Sequence, residues 1–325
     1  MRPLLLKGHE RPLTMVRFNR EGDILFTSAK DSSPTAWWAS SGERIGTYKG
    51  HTGVVWGLDV THGTDRVLTG SGDNSARLFE ASTGKCLYTW SFPSPVRCVA
   101  LAPGDRVAAM SNAKLMGQES AIHFMRLAED ATAIEEDRIM VIKDGLESTV
   151  IRMLFGPTGE WILSASEDGT VSKWDLESGT RLQSVKEHTA PITDMQFSKE
   201  AEQFITSSTD QSARLMDTRD LRHLKTYQTD RPVNSAAVSP LFDHVLLGGG
   251  QDASKVTTTA DREGKFEARL YHKIYTSELG RIKGHFGPIN TVAFSPDGRQ
   301  YVSGGEDGFV RLHHFDQDYF DRKYD

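Results

Sequence analysis

Residues 49–90, KGHTGVVWGLDVTHGTDRVLTGSGDNSARLFEASTGKCLYTW, hold the pattern that decides the fold. A Gly-His dipeptide ends at His51, and an aliphatic residue, Val55, follows four positions later. Asp73 lies 18 positions after Val55, and an aromatic residue, Phe79, lies six positions after Asp73. Between these markers apolar and polar residues alternate, with turn residues such as Ser-Gly dividing them. The stretch therefore predicts four short antiparallel strands.

The same pattern recurs along the whole chain. Gly-His dipeptides also end at His9 and His285, and a Glu-His variant ends at His188. Apolar anchors equivalent to Val55 stand at Leu13, Val55, Val96, Val150, Ile192, Val233 and Ile289; the steps between them are nearly equal, except that those after Val96 and Val233 are longer. Four strands in about 42 residues is the blade of a WD-repeat propeller. The chain is therefore predicted to be an all-β, seven-bladed WD-repeat β-propeller, with residues 1–325 forming one domain.

Two further markers keep the same register. An acidic residue follows the anchor by 18 positions at Asp31, Asp73, Asp168, Asp210 and Asp307, and by 19 at Asp252, whereas the third unit has Lys114. The aromatic position six residues later holds Trp37, Phe79 and Trp174, and then Met216, Thr258 and His313. The seventh unit supplies only three strands, near Ile289–Ser295, Gln300–Ser303 and Phe309–Phe315. Residues 3–7 resemble an outer strand without a blade, so we predict that they complete the last blade.

Composition excludes several classes of function. The net charge is −6 and the isoelectric point is near 6.0, which argues against direct nucleic-acid binding. Cys86 and Cys98 have no disulfide or zinc spacing, and no apolar stretch is long enough for a signal peptide or a membrane span. We expect a cytoplasmic protein that contacts no membrane, has no cofactor and forms no homo-oligomer.

Four His–Asp pairs have the same separation in sequence: His9–Asp31, His51–Asp73, His188–Asp210 and His285–Asp307. One such pair could serve as a general base. Four copies around a ring cannot converge on one substrate, so the structural interpretation is favoured. Each pair is expected to join the loop entering a blade to the turn between its inner strands, in a buried polar network with Ser or Thr and Trp. Since no other catalytic, metal or phosphate-binding motif is found, the chain is expected not to be an enzyme.

The repeat is interrupted twice. The third unit gains about 12 residues, assigned to the acidic stretch 128–138, which is expected to be a solvated loop. The sixth unit gains about 14 residues within GGGQDASKVTTTADREGKFEARLYHK, from Gly248, where mixed charge and β-branched residues predict a structured excursion. Loops of this kind carry recognition on a rigid frame.

Several strings resemble the WD-repeat subunit, called i, of eukaryotic translation initiation factor three. They are GGGQDASKVTTTADREGKFEARLYH from Gly248, GRIKGHFGPINTVAFSPDG from Gly280 and SGGEDGFVRLHHFD from Ser303, with GHERPLTMVRFNREGDILFTSAKD near the start of the chain. The resemblance implies a non-catalytic scaffold of the factor that loads the small ribosomal subunit and supports scanning and start-codon selection. It also implies docking onto the C-terminal helix of the b subunit and contact with the g subunit.

In that family the b-subunit helix lies against blades five and six, which corresponds here to about residues 205–238. Asp230 aligns with an exposed family acid that pairs with a basic residue of the helix. We add Asp217, Leu221, Leu224 and Tyr227 as charged and apolar anchors expected on the same outer strand and turn.

Two other functions remain open. A propeller that recognises modified peptides or signalling proteins at its channel mouth would need a ring of exposed aromatic and acidic residues there. An enzyme using a His–Asp pair is the third hypothesis. Mass spectrometry of co-purifying proteins separates the first two, because it finds either initiation-factor subunits or histones and signalling proteins.

Overall fold

Seven four-stranded antiparallel sheets make up the structure, which is a computed structural model describing residues 3–115, 117–128, 138–250 and 266–321. The sheets are arranged as the blades of a seven-bladed β-propeller, so the predicted fold class is confirmed. Within each of the first six blades the strands pair in chain order, from the innermost to the outermost. Short turns suffice for this order, which explains why turn residues punctuate the repeat so regularly.

The strands of the seven blades have the following bounds. Blade one contains β2 (Leu13–Phe18), β3 (Ile24–Ala29), β4 (Thr35–Trp38) and β5 (Arg44–Thr47). Blade two contains β6 (Val55–Val60), β7 (Arg66–Ser71), β8 (Ser75–Glu80) and β9 (Cys86–Ser91), and blade three β10 (Val96–Leu101), β11 (Val107–Asn112), β12 (Ala121–Arg126) and β13 (Arg138–Ile142). Blade four contains β14 (Val150–Phe155), β15 (Trp161–Ser166), β16 (Thr170–Asp175) and β17 (Arg181–Lys186), and blade five β18 (Ile192–Phe197), β19 (Gln203–Ser208), β20 (Ser212–Asp217) and β21 (His223–Gln228). Blade six contains β22 (Val233–Val238), β23 (His244–Gly249), β24 (Glu267–His272) and β25 (Glu278–Lys283), and blade seven β26 (Ile289–Phe294), β27 (Gln300–Gly305), β28 (Val310–His314) and β1 (Pro3–Leu6).

Each sequence anchor is the first residue of an innermost strand, from Leu13 in blade one to Ile289 in blade seven. The register shifts immediately after the anchor in all seven blades, as between Leu13 and Met15 or between Ile192 and Asp194. One residue is thereby left out of the ladder, which is the arrangement of a β-bulge. The spacing of the apolar anchors did not reveal this bulge, because it records only which positions are apolar.

The apolar core is divided among the joints between blades. Seven buried clusters occur in the described residues, and each combines strands of two neighbouring blades. Trp37, for example, belongs to the cluster between blades seven and one, and Trp174 to the cluster between blades three and four. The aromatic marker of the repeat is therefore a packing residue that fixes one blade on the next.

Residues near the start of the chain close the seventh blade, as predicted. Pro3–Leu6 pairs antiparallel with β28, with Leu4 opposite Leu312 and Leu6 opposite Val310. A short helix, α1 (Gln317–Asp321), follows the last strand and was not predicted. Its Tyr319 ring stacks on Phe315, with centroids 3.9 Å apart.

The sixth blade corrects one detail of the repeat. Its third strand is Glu267–His272, so the aromatic position belongs to Tyr271 and not to Thr258. The insertion lies between the second and third strands, so counting a fixed number of residues from the anchor no longer reaches the third strand. Most of the predicted acidic loop at 128–138 lies outside the described residues. So do residues 251–265 of the stretch predicted to hold the structured excursion, Asp252 among them. Within the ranges described above, no helix is long and apolar enough to cross a bilayer.

Candidate functional site

The same hydrogen-bonded group recurs in four blades. A histidine Nδ1 lies against the carboxylate of the aspartate 22 residues later, at 2.7 Å for His9–Asp31, 2.9 Å for His51–Asp73, 2.8 Å for His188–Asp210 and 3.1 Å for His285–Asp307. The Nε2 of each ring contacts a hydroxyl of the second strand at 2.7 to 2.8 Å: Thr27, Thr69, Thr206 and Ser303. Each group is enclosed in its own blade, so the four do not converge on one site.

The carboxylate also accepts hydrogen bonds from the backbone. In blade two, the N–H of Thr52 donates to Asp73 at 3.0 Å, and the hydroxyl of Ser75 donates at 2.6 Å. In blade one, the indole N–H of Trp37 donates to Thr27 at 2.9 Å. The incoming loop, the inner turn and the third strand of a blade are thus held by one continuous network.

Burial and these hydrogen bonds shift the pKa values of both partners. Burial by itself raises the pKa of Asp73, but the hydrogen bonds from Ser75, Thr52 and His51 outweigh it and lower the pKa to about 2. Burial lowers the pKa of His51, because the charged imidazolium is the form that loses hydration. At neutral pH the pair in blade two therefore consists of a neutral imidazole beside a charged carboxylate.

The bulge residues form the mouth of the central channel. The residue after each anchor lines a cavity of about 710 Å³, and these residues are Thr14, Trp56, Arg97, Ile151, Thr193, Asn234 and Asn290. The guanidinium of Arg97 lies 4.1 Å from the centre of the Trp56 ring and 3.7 Å from Glu167. The cavity is also lined by the acids Glu167, Asp230 and Glu306, whereas Trp56 is the one aromatic residue among its lining residues in the described chain. The described part of the mouth therefore has acids but not the ring of exposed aromatic residues that recognition of modified peptides was expected to need.

Two of the five residues chosen for partner binding are buried. Leu221 is 1% exposed and packs in the cluster between blades four and five. Tyr227 is fully buried, and its hydroxyl donates to the backbone oxygen of Lys273 in blade six at 2.7 Å. The expectation that these two residues bind a partner is therefore wrong, because both side chains are buried in the packing between blades.

The other three residues are accessible but do not share one strand and turn as expected. Asp217 ends the third strand of blade five, and its carboxylate accepts the N–H of Arg219 at 2.8 Å. Leu224 lies on the outer strand and is partly buried. Asp230 follows the opposite end of that strand, where it is 61% exposed at the rim of the channel mouth.

Asp230 has a partner that sequence reasoning missed. Its carboxylate forms an ion pair with Arg269 on the third strand of blade six. Burial acts to raise the pKa of Asp230, but the hydrogen bond and the charge of Arg269 outweigh it, so the pKa is lowered. Arg269 lies 39 residues away in sequence, and only the packing of blade six against blade five brings the two together.

Comparison with known proteins assigns the family. The family model EIF3I matches residues 1–325. The chain belongs to the EIF3I family. It is 48% identical over 329 residues to eukaryotic translation initiation factor 3 subunit I of Bombyx mori, covering 100% of this chain and 99% of the relative. The human protein of the same name is 47% identical over 325 residues, with both chains covered completely.

Membership of the EIF3I family confirms the resemblance found in the sequence strings. A second vertebrate relative, from Taeniopygia guttata, is 48% identical over the full length of both chains. All three relatives are named as subunits of a translation initiation factor, which places this chain among the components of translation initiation.

Proposed function

We propose that this chain is a non-catalytic scaffold of translation initiation factor 3, with residues 1–325 acting as one domain. Blades five and six are proposed to bind the C-terminal helix of the b subunit, and a further surface the g subunit, which links the chain to the small ribosomal subunit. The observation that carries the proposal is Asp230, a mostly exposed carboxylate at the joint of blades five and six, where the family resemblance expects one.

The accessible surface beside Asp230 suits a helix with one apolar face. Leu224 lies on the outer strand of blade five, and the tyrosines behind it are locked in place, since Tyr227 and Tyr271 pack with ring centres 5.9 Å apart. A strand of six residues spans roughly 20 Å, which corresponds to about 13 residues of helix. A rigid wall of this length lowers the entropy lost on binding, because only the helix has to be ordered.

Charge at Asp230 would determine the register of the helix. The carboxylate of Asp230 already pairs with Arg269. A basic residue of the helix would therefore bind a carboxylate shared with Arg269, and not an isolated, fully hydrated charge. Exposed pairs of this kind contribute little to folding stability but can determine orientation and association rate.

We expect Asp230→Lys to weaken binding of a synthetic peptide carrying the C-terminal helix of the b subunit at least tenfold in a calorimetric titration, with the melting temperature nearly unchanged. Asp230→Asn should cause a smaller loss, because it removes the attraction without placing a second cation beside Arg269. Asp243→Lys is the matched control: Asp243 is also a half-exposed member of an ion pair in blade six, with Lys273 at 3.5 Å. If Asp230→Lys bound the peptide with unaltered affinity, Asp230 would not be part of the interface. If Asp243→Lys lost as much affinity as Asp230→Lys, the loss would come from the change in the net charge of the protein and not from position 230.

A further inference from the structure

Repetition within the chain supplies an internal control for every position of a blade. The residue after the recurring histidine is Glu10, Thr52, Thr189 or Phe286. Its backbone N–H donates to the aspartate of the same blade at 3.0 to 3.2 Å in all four cases. The backbone is therefore equivalent, and only blade seven places a large apolar side chain where the others have polar ones.

Phe286 is the most exposed of the large hydrophobic residues in the described chain, at 84%. A ring in this position gains almost nothing from burial, and leaving it in water disfavours solubility. Single exposed apolar residues are common on protein surfaces and need no explanation. Phe286, however, shares a cationic neighbour, Arg311, with a second phenylalanine, Phe309.

Phe309 replaces another polar residue of the repeat. The second position after the recurring aspartate holds Ser75 in blade two and Ser212 in blade five, and each hydroxyl donates to its aspartate at 2.6 Å. Phe309 keeps the backbone hydrogen bond to Asp307, at 3.1 Å, but has no hydroxyl to donate. Blade seven thus lacks a structural hydrogen bond at a position where folding alone favours serine.

Arg311 holds the two rings at one place. Its guanidinium carbon lies 5.9 Å from the centre of the Phe286 ring and 5.6 Å from that of Phe309, within the range of cation–π contact. The same guanidinium donates to Asp307 at 2.9 Å, so it is fixed from below. Both rings therefore border the same fixed guanidinium in blade seven.

Exposed basic residues lie in the segments on either side of these rings. Lys283, 82% exposed, ends the outer strand of blade six three residues before Phe286. Arg11 is exposed in the incoming loop of blade one, whose backbone packs closely against Gly308, the residue before Phe309. The acids nearby are Glu10, which is exposed in the same loop, Glu267, which lies 3.5 Å from Lys283, and Glu306, which pairs with Lys30 at 3.3 Å.

We propose that Phe286 and Phe309 form an anchor for a protein segment that presents aliphatic or aromatic side chains flanked by acidic residues. Apolar residues of the segment cover the two rings, and its carboxylates meet Lys283 and Arg11. The two rings lie on blade seven, whereas Asp230 and the outer strand of blade five belong to the surface proposed for the helix; Lys283 lies on blade six, between them.

Photo-crosslinking within the intact initiation-factor complex tests the proposal. p-Benzoylphenylalanine is introduced in place of Phe286, and in place of Thr52 as the control with the same backbone hydrogen bond in blade two. We expect at least tenfold more adduct from position 286, on a single peptide that contains apolar residues next to Asp or Glu. Adducts no more abundant than those at position 52, or adducts with RNA, with a second copy of this chain or with a peptide of other composition, would overturn the proposal.

Two variants separate binding from folding. Phe286→Thr and Phe309→Ser restore the residues of the ordinary repeat, and we expect each to weaken binding of the synthetic crosslinked peptide at least fivefold. Phe309→Ser should also raise the melting temperature by about 1–4 °C, because serine regains the hydrogen bond to Asp307. A fall of more than about 5 °C in either variant, with affinity retained, would mean that the rings serve folding and would sink the inference.

Discussion

Asp210 and Asp168 occupy the same turn position in blades five and four, but only Asp210 has a histidine partner. Asp210 accepts hydrogen bonds from His188 and Ser212, whereas Asp168 accepts the N–H of Thr170 at 3.1 Å. Comparing the two residues therefore separates the contribution of the network around Asp210, which includes His188 and Ser212, from that of the turn. At this scale the repeat functions as a folding device, because the same atoms meet at the same distances wherever the pair is present.

Asp210→Ala should lower the free energy of unfolding by about 1–3 kcal/mol, since it leaves the buried Nδ1 of His188 without an acceptor. Asp168→Ala should cost less, about 1 kcal/mol or below, because only a turn contact is lost. Urea denaturation of both variants measures the difference. Equal losses would show that the imidazole contributes nothing beyond the turn.

Buried His313 makes the stability depend on pH. Its ring stacks on Tyr301 with centroids 4.4 Å apart, and burial, followed by the charges of His285 and Arg311, lowers its pKa to about 3. The folded state therefore holds the neutral ring, while the unfolded chain takes up a proton near pH 6.5. Its contribution is complete above pH 6.5 and is lost as the pH falls from there toward 3.

In His313→Phe, the decrease in unfolding free energy between pH 7 and pH 5 should be smaller than in the wild type by about 1–2 kcal/mol. Phenylalanine keeps the stacking on Tyr301 and cannot be protonated. Denaturation curves at the two pH values provide the comparison. An identical decrease in both proteins would assign the pH dependence to other groups.

Among the elements, the strand Pro3–Leu6 has the clearest division of faces. Leu6 is 2% exposed and packs in the cluster between blades seven and one, whereas its neighbour Leu5 is 45% exposed. One residue step along a strand turns the side chain from the core to the solvent. The element is therefore held by buried Leu6, by partly buried Leu4, which packs against the same cluster, and by its ladder to β28.

Leu6→Ala should lower the free energy of unfolding by about 2–4 kcal/mol through lost burial and a residual cavity. Leu5→Ala, on the same strand, should change it by about 0.5 kcal/mol or less. Thermal and urea denaturation measure both. Similar losses for the two variants would mean that the strand does not pair in the register that puts Leu6 opposite Val310.

For the whole molecule, stability resides in the joints between blades, because each of the seven clusters bridges two neighbours. Removing residues 1–7 should therefore act locally. We expect amide hydrogen exchange to quicken in Val310–His314, whose outer edge is uncovered, and in blade one, while Trp161–Ser166 in blade four stays protected. A uniform increase in all blades would mean that the ring opens as one cooperative unit.

The sequence alone determined the number of blades, the start of each innermost strand, the strand exchange that closes blade seven and the partners in the four His–Asp pairs. These features depend on spacing within a single repeat, and seven repetitions of one spacing leave little freedom in register. The pairing of β1 needed only one further observation, that the last unit has three strands.

Tertiary structure decided what each side chain faces. Tyr227 and Leu221 are residue types that are common at binding surfaces, yet they are core residues because a neighbouring blade covers them. Asp230 meets Arg269 across a separation of 39 residues that no local pattern encodes. Exposure at a joint is a property of two packed blades at once, whereas the repeat describes one blade at a time.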